Sequence, residues 1–189
     1  MTLRFLLPLL LAAAPLAASA QLAEAQTRLK SAVTEVLAVA DRAGNRSVLP
    51  EKLRPVLQKY VSFETMTKRA VGPGWRQFTA AQQQQATQLF STLIIRSYSG
   101  KFTPGEHPAI TYQTALSPAS GRVDVPTSMV YQGSHYTVTY RMEQMQITDV
   151  VIEGVSLIAN YRSQLDAQFK KGGANAVISS LTQSVSRPQ

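Results

Sequence analysis

The stretch RVDVPTSMVYQGSHYTVTYRM, residues 122–142, decides the class of fold. Apolar and polar side chains alternate along it with a period of two, Val, Thr and Tyr dominate, and Gln132-Gly133 interrupts it where a tight turn belongs. Two strands joined so closely run antiparallel. Alternation puts Val123, Val125, Met129 and Tyr131 on one face of the first strand, and Tyr136, Val138, Tyr140 and Met142 on one face of the second. Pro126 lacks the N–H a ladder needs, which predicts an edge strand or a bulge there.

On either side, Ala109 to Leu116 and Met145 to Ile152 share this composition, with turn residues such as Ser120-Gly121 between segments. Four consecutive strands with short connections predict an antiparallel meander that Gly154 ends. In the fourth strand Val150 and Ile152 fall on one side, Ile147 and Val151 on the other, so both faces need cover.

Upstream the period is 3.6. Leu22, Ala25, Leu29, Ala32, Val33, Val36, Leu37 and Ala40 predict an amphipathic helix that Gly44-Asn45 stops. A second helix is expected from Pro50 to Tyr60, and a third from Ser62 or Phe63 to the Gly72-Pro73-Gly74 stop. Thr79 and Gln82 are spaced as a capping box for a long helix reaching Ser99, with Ala86, Leu89, Phe90, Leu93, Ile94 and Tyr98 as its apolar stripe. Past Gly154 come one helix carrying Val155, Ile158, Leu165 and Phe169 on a face and a last one from Ala174 to Ser184. Helices, then a meander, then helices make an α+β domain.

The N-terminus carries Arg4, a short apolar run from Phe5 to Ala14 and the small residues Ala18-Ser19-Ala20. These are the parts of a cleavable export signal over residues 1–20, leaving residues 21–189 as one domain. That domain divides into a helical part, 21–103, a sheet, 109–152, and C-terminal helices, 155–186. The run is broken by Pro8 and Pro15 and falls short of the roughly 20 apolar residues a membrane span needs. The chain has no cysteine, which excludes disulfides, thiolate chemistry and a lipid-modified cysteine anchor. The net charge of +8 is spread along the chain and forms no stripe suited to tracking phosphates, which argues against a nucleic-acid partner.

Catalytic and metal-ligand patterns are missing. His107 and His135 belong to no ligand spacing. Asp124, Asp149 and Glu153 lie on or beside the strands, and an inward aspartate near Tyr136 or Tyr140 would make the sheet an acid–base site. The alternative for those carboxylates is ion pairing with the abundant Lys and Arg, and for the apolar strand faces an ordinary core.

Two stretches carry a resemblance. The first is Phe63-x-x-Met66, Gly72-x-x-Trp75, Thr79-x-x-Gln82, Phe90, Leu93 and Tyr98; the second is Glu153-Gly154-Val155-Ser156-Leu157-Ile158-Ala159-Asn160-Tyr161-Arg162-Ser163-Gln164. Together they resemble the MlaC, or toluene-tolerance, family, the soluble periplasmic lipid-binding component of Mla-type ABC transport systems. Ala86, Ala80 and Val71 depart from that pattern, where Phe, Pro and Leu are usual. The resemblance implies a curved sheet like that of nuclear transport factor 2, with helices enclosing an apolar cavity. It implies no cofactor, a bound phospholipid as cargo, and two partners: an inner-membrane transporter complex with its MCE-domain protein, and an outer-membrane lipoprotein/porin complex. The hopanoid-associated branch is similar, and a cavity enzyme of the same fold is the other alternative. The residues expected to pack against acyl chains are Val125, Tyr136, Val138, Tyr140, Val150 and Val155, with Phe90 and Leu93 facing them from the long helix.

Overall fold

A computed structural model describes residues 14–100, 103 and 105–187; residues 1–13 of the expected export signal lie outside them. The chain forms an antiparallel curved sheet flanked by helices, in the predicted order. Helix α1 (Ala14–Ala43) buries Ala25, Leu29 and Ala32 and ends at Gly44, whose φ of 77° is the left-handed turn that closes a helix. Helix α2 (Leu49–Tyr60) carries Pro50 in its first turn, and α3 (Phe63–Val71) is capped by Ser62, whose hydroxyl accepts from Thr65 N. After α3 a short 3-10 helix, Gly72–Gln77, seats Trp75 in the core. Helix α4 (Ala80–Ser99) has the predicted capping box, both reciprocal bonds between Thr79 and Gln82 being present. Its buried face differs slightly from expectation: Ile95 is buried and Tyr98 is 36% exposed.

Six strands replace the expected four: β1 (Ala109–Tyr112), β2 (Leu116–Ala119), β3 (Arg122–Tyr131), β4 (Ser134–Glu143), β5 (Gln146–Ile152) and β6 (Val155–Ser156). The first expected strand is two, because the chain leaves the ladder at residues 113–115. Gly154 does not end the sheet. With Glu153 (φ 49°) it forms a tight turn (φ 77° at Gly154) that folds β6 back onto β5. The turns at Gln132-Gly133 and Gln144-Met145 likewise have positive φ at both residues. The two expected C-terminal helices are both present, run together as α5 (Leu157–Ser186) and separated by the non-helical Gly172 and Gly173, and the second packs Val177 and Leu181 into the same core as the first.

Pro126 lies in an interior strand, not at an edge: β3 pairs with β4 on one side and with β1 and β2 on the other. Its carbonyl accepts from Gln113 N at 2.9 Å, so its missing N–H faces the gap between β1 and β2, where the ladder is already broken. The irregularity that Pro126 requires belongs to the neighbouring strand.

Candidate functional site

The register lines the apolar residues of β3, β4 and β5 in rows on one face of the sheet. The first row is Val123, Met142 and Ile147; the second is Val125, Tyr140 and Val150; the third is Thr127, Val138, Ile152 and Val155; the fourth is Met129 and Tyr136. Strand β1 adds Tyr112 beside Thr127 and Ile110 beside Met129. Ile147 joins this face against expectation. Thr148 is an extra residue where β5 pairs with Arg141 and Met142, and this bulge turns Ile147 to the side of Val150.

The rows differ in how far they are covered. At the first, Ala25 and Leu29 of α1 close over Val123, Val125, Met142 and Ile147. Gln26 anchors α1 to the Gln113 carbonyl at 2.8 Å, and Arg28 reaches the Met145 and Lys59 carbonyls at 3.2 and 2.9 Å. Farther along, Tyr140, Val150, Ile152, Met129, Tyr136, Ile110 and Tyr112 are only partly buried, although apolar or largely so. Burial pushes the Tyr140 phenol up to about 12, with the neighbouring Tyr112 phenol adding to the shift, and burial also raises Tyr112. The Tyr140 ring is thus largely desolvated yet only partly covered, so cover on this face thins out beyond the first row. Val61, just past α2, is partly buried against both this cluster and the helical core, whereas Leu57 packs between two helical cores.

Of the expected residues, Val125, Tyr136, Val138, Tyr140, Val150 and Val155 share this face. Val125 and Val138 are buried, whereas Val155 is 62% exposed at the rim. Phe90 and Leu93 do not face them. Both lie in a helical core with Phe63, Met66, Trp75, Leu157 and Leu165, where Tyr161 meets the Phe90 ring edge-on at 5.2 Å. Helix α4 packs on α2, α3 and α5, which separates its apolar stripe from the strands. Ile110, Tyr112, Met129 and Ile152 also share this face, as period-two spacing from the named residues marks them, whereas nothing local marks Val61, which bridges to Ile147 from beyond α2.

The other face of the same strands is polar. Arg122 grips Asp124 with two bonds of 2.7 and 2.6 Å, and Arg141 donates to Asp149 at 2.9 Å. From α3, Arg69 reaches both Glu143 oxygens at 2.7 Å. Asp149 is 5% exposed and also accepts from Ser156 Oγ and from the amides of Val150 and Ile158. Asp124 and Asp149 are therefore engaged by cations on the face opposite Tyr136 and Tyr140, and no aspartate–tyrosine acid–base pair forms. Among the described residues no group of His, Asp and Glu is placed to hold a metal, and no helix is long and apolar enough to cross a membrane.

Both quoted motifs have structural work. Gly74 lies so close to Phe169 that a Cβ would sit 2.8 Å from its ring, and Trp75, Phe78 and Phe169 stack in series. Glu153-Gly154 makes the turn, Ser156 caps α5, Leu157 and Ile158 enter the core, and Arg162 lies over Gly72.

A family model described as MlaC protein matches residues 27–183. No curated protein matches the chain. Among solved structures, a phospholipid-binding protein from Ralstonia solanacearum, in complex with a phospholipid, is 27% identical and superposes with a TM-score of 0.77 over 85% of this chain and 96% of its own. The match to the family model, spanning α1 to α5, places this chain in the MlaC family.

Proposed function

We propose that this protein is a periplasmic lipid carrier, exported by a signal cleaved after Ala20, whose sheet holds the acyl chains of a phospholipid. The carrying observation is the graded cover of the apolar face, closed by α1 at the Val123 row and open towards Tyr136, with Tyr140 desolvated between. Support also comes from the Ralstonia relative that holds a phospholipid. Each buried methylene contributes about 0.8 kcal/mol, so a two-chain lipid with on the order of 30 methylenes needs a site that covers most of both chains. Val125, Val138, Tyr140, Val150 and Ile152 supply the apolar wall, and Tyr136 and Val155 the rim.

In this reading the lipid is cargo and not a cofactor. The carrier takes it from or gives it to an inner-membrane Mla-type transporter complex with its MCE-domain protein, and an outer-membrane lipoprotein/porin complex is the other station. The result is maintained lipid asymmetry of the outer membrane. Organic extraction of the purified mature chain followed by mass spectrometry tests the reading. Near-stoichiometric glycerophospholipid is expected; a hopanoid would reassign the cargo, and a protein clean of amphiphile would refute the carrier function.

A further inference from the structure

The polar face of the sheet is indented where helices meet it. A cleft of about 380 Å³ opens between this face and the helices α3 and α5, lined by Arg69, Arg122, Arg141, Arg162, Glu143 and Asp149. Three of the four guanidiniums have carboxylates: Arg69 with Glu143, Arg122 with Asp124, and Arg141 with Asp149. The fourth, Arg162, has no side-chain hydrogen bond or ion pair among the described residues. It lies over Gly72, where a Cβ would come within 3.2 Å of its Nε, so the missing side chain at residue 72 makes the seat.

We propose that this cleft is a docking site for an acidic side chain, Asp or Glu, that projects from a partner protein. A guanidinium offers a planar fork of donors that a carboxylate matches with two parallel bonds. The three internal pairs hold the walls and cancel their own charge, which leaves one positive fork in excess. The Arg69, Arg122 and Arg141 side chains are partly covered, at 40, 31 and 33% exposure, and each already has its carboxylate, so the exposed Arg162 fork is the one left for a projecting carboxylate from a partner. A lipid on the apolar rows lies across the sheet from the cleft, so its headgroup is not the anion. The inference therefore stands apart from the lipid-carrier reading.

The test uses the mature protein with a fluorescein-labelled peptide of alternating Glu and Gly, followed by fluorescence anisotropy in low-salt buffer. Replacing Arg162, which is exposed and carries no internal pair, by Ala is expected to weaken binding about tenfold, the loss of one charge-assisted pair. Lys170→Ala with Lys171→Ala, a larger charge change elsewhere on α5, is expected to leave it within about twofold. Equal affinity in R162A and wild type overturns the proposal, as does an equal loss in the double lysine variant. Vesicles containing phosphatidylglycerol form a parallel arm, and Arg162-dependent binding to them without peptide binding would assign the cleft to membrane and overturn it. Lipid content of R162A, measured by extraction, is expected to equal wild type and separates this result from the carrier function.

Discussion

Asp149 Oδ1 accepts the backbone N–H of Ile158 at 3.1 Å, tying the middle of β5 to the first turn of α5. The same carboxylate holds Arg141 at 2.9 Å and the α5 cap Ser156 at 2.7 Å, so one buried group joins sheet, helix start and polar cleft. Asp149→Ala orphans these donors together and is expected to cost about 3–5 kcal/mol, read as the shift of the urea midpoint. Asp149→Asn keeps one acceptor and should fall between. A loss under about 1 kcal/mol for the alanine variant would remove Asp149 from this joining role.

The turn residues Gln144 and Glu153 have the same positive φ, 49°, and opposite prospects. Gln144 is exposed, and Gln144→Gly should stabilise by about 0.5–1 kcal/mol, because relief of the left-handed backbone exceeds the entropy that glycine adds to the unfolded chain. Glu153 accepts from the Thr137 amide and from its hydroxyl at 3.0 Å, so Glu153→Gly loses those bonds and should show no gain. Equal gains in thermal melts would mean the Glu153 bonds contribute nothing.

Gly74→Ala places a methyl 2.8 Å from the Phe169 ring. The ring is held against Phe78 with centroids 6.2 Å apart, and overpacking of this kind costs about 1–3 kcal/mol. Adding Phe169→Leu should recover part of the loss, and a double-mutant cycle measures the coupling.

Raised tyrosine pKa values make stability fall at high pH. Between about 10 and 12 the unfolded chain gives up the Tyr140 proton while the folded chain keeps it, so stability present below pH 10 is lost as pH rises. The loss at Tyr140 is about 1 kcal/mol by pH 11. Tyr112 and Tyr98, both raised by burial, act in the same direction. Tyr140→Phe should therefore flatten only part of the decline, and a slope unchanged from wild type would mean the phenol is not desolvated.

Within the carrier reading, Val150→Asp sets a carboxylate on the apolar wall, and retained phospholipid should drop at least about tenfold while circular dichroism stays folded. Val155→Asp, at the 62% exposed rim, should lose less. Greater loss from Val155 than from Val150 would move the wall to the edge strand.

Much of this was readable in advance because alternation and capping are local signals. The Thr79–Gln82 box, the Gln132-Gly133 turn and the shared face of Val125 and Tyr140 follow from spacing alone. What spacing cannot reveal is a change of register. The extra residue Thr148 turned Ile147 to the face opposite the one a perfect alternation assigns, and Pro126 found its missing partner in a gap of the next strand. The placement of Phe90 and Leu93 failed for another reason: an apolar helical stripe states that a helix is covered, not which element covers it. The cleft around Arg162 was invisible because its carboxylates and guanidiniums come from β3, β4, β5, α3 and α5.

The bulge at Thr148 has an evolutionary consequence. By resetting the alternation once, it puts Ile147 on the face of Val150 and Ile152 while Asp149 stays with Arg141 on the other, so the apolar wall and the arginine cleft draw on different side chains of the same strand. Substitutions that reshape the apolar wall can accumulate without disturbing the arginine cleft, and the reverse. Each surface is free to diverge at its own pace across descendants of this chain.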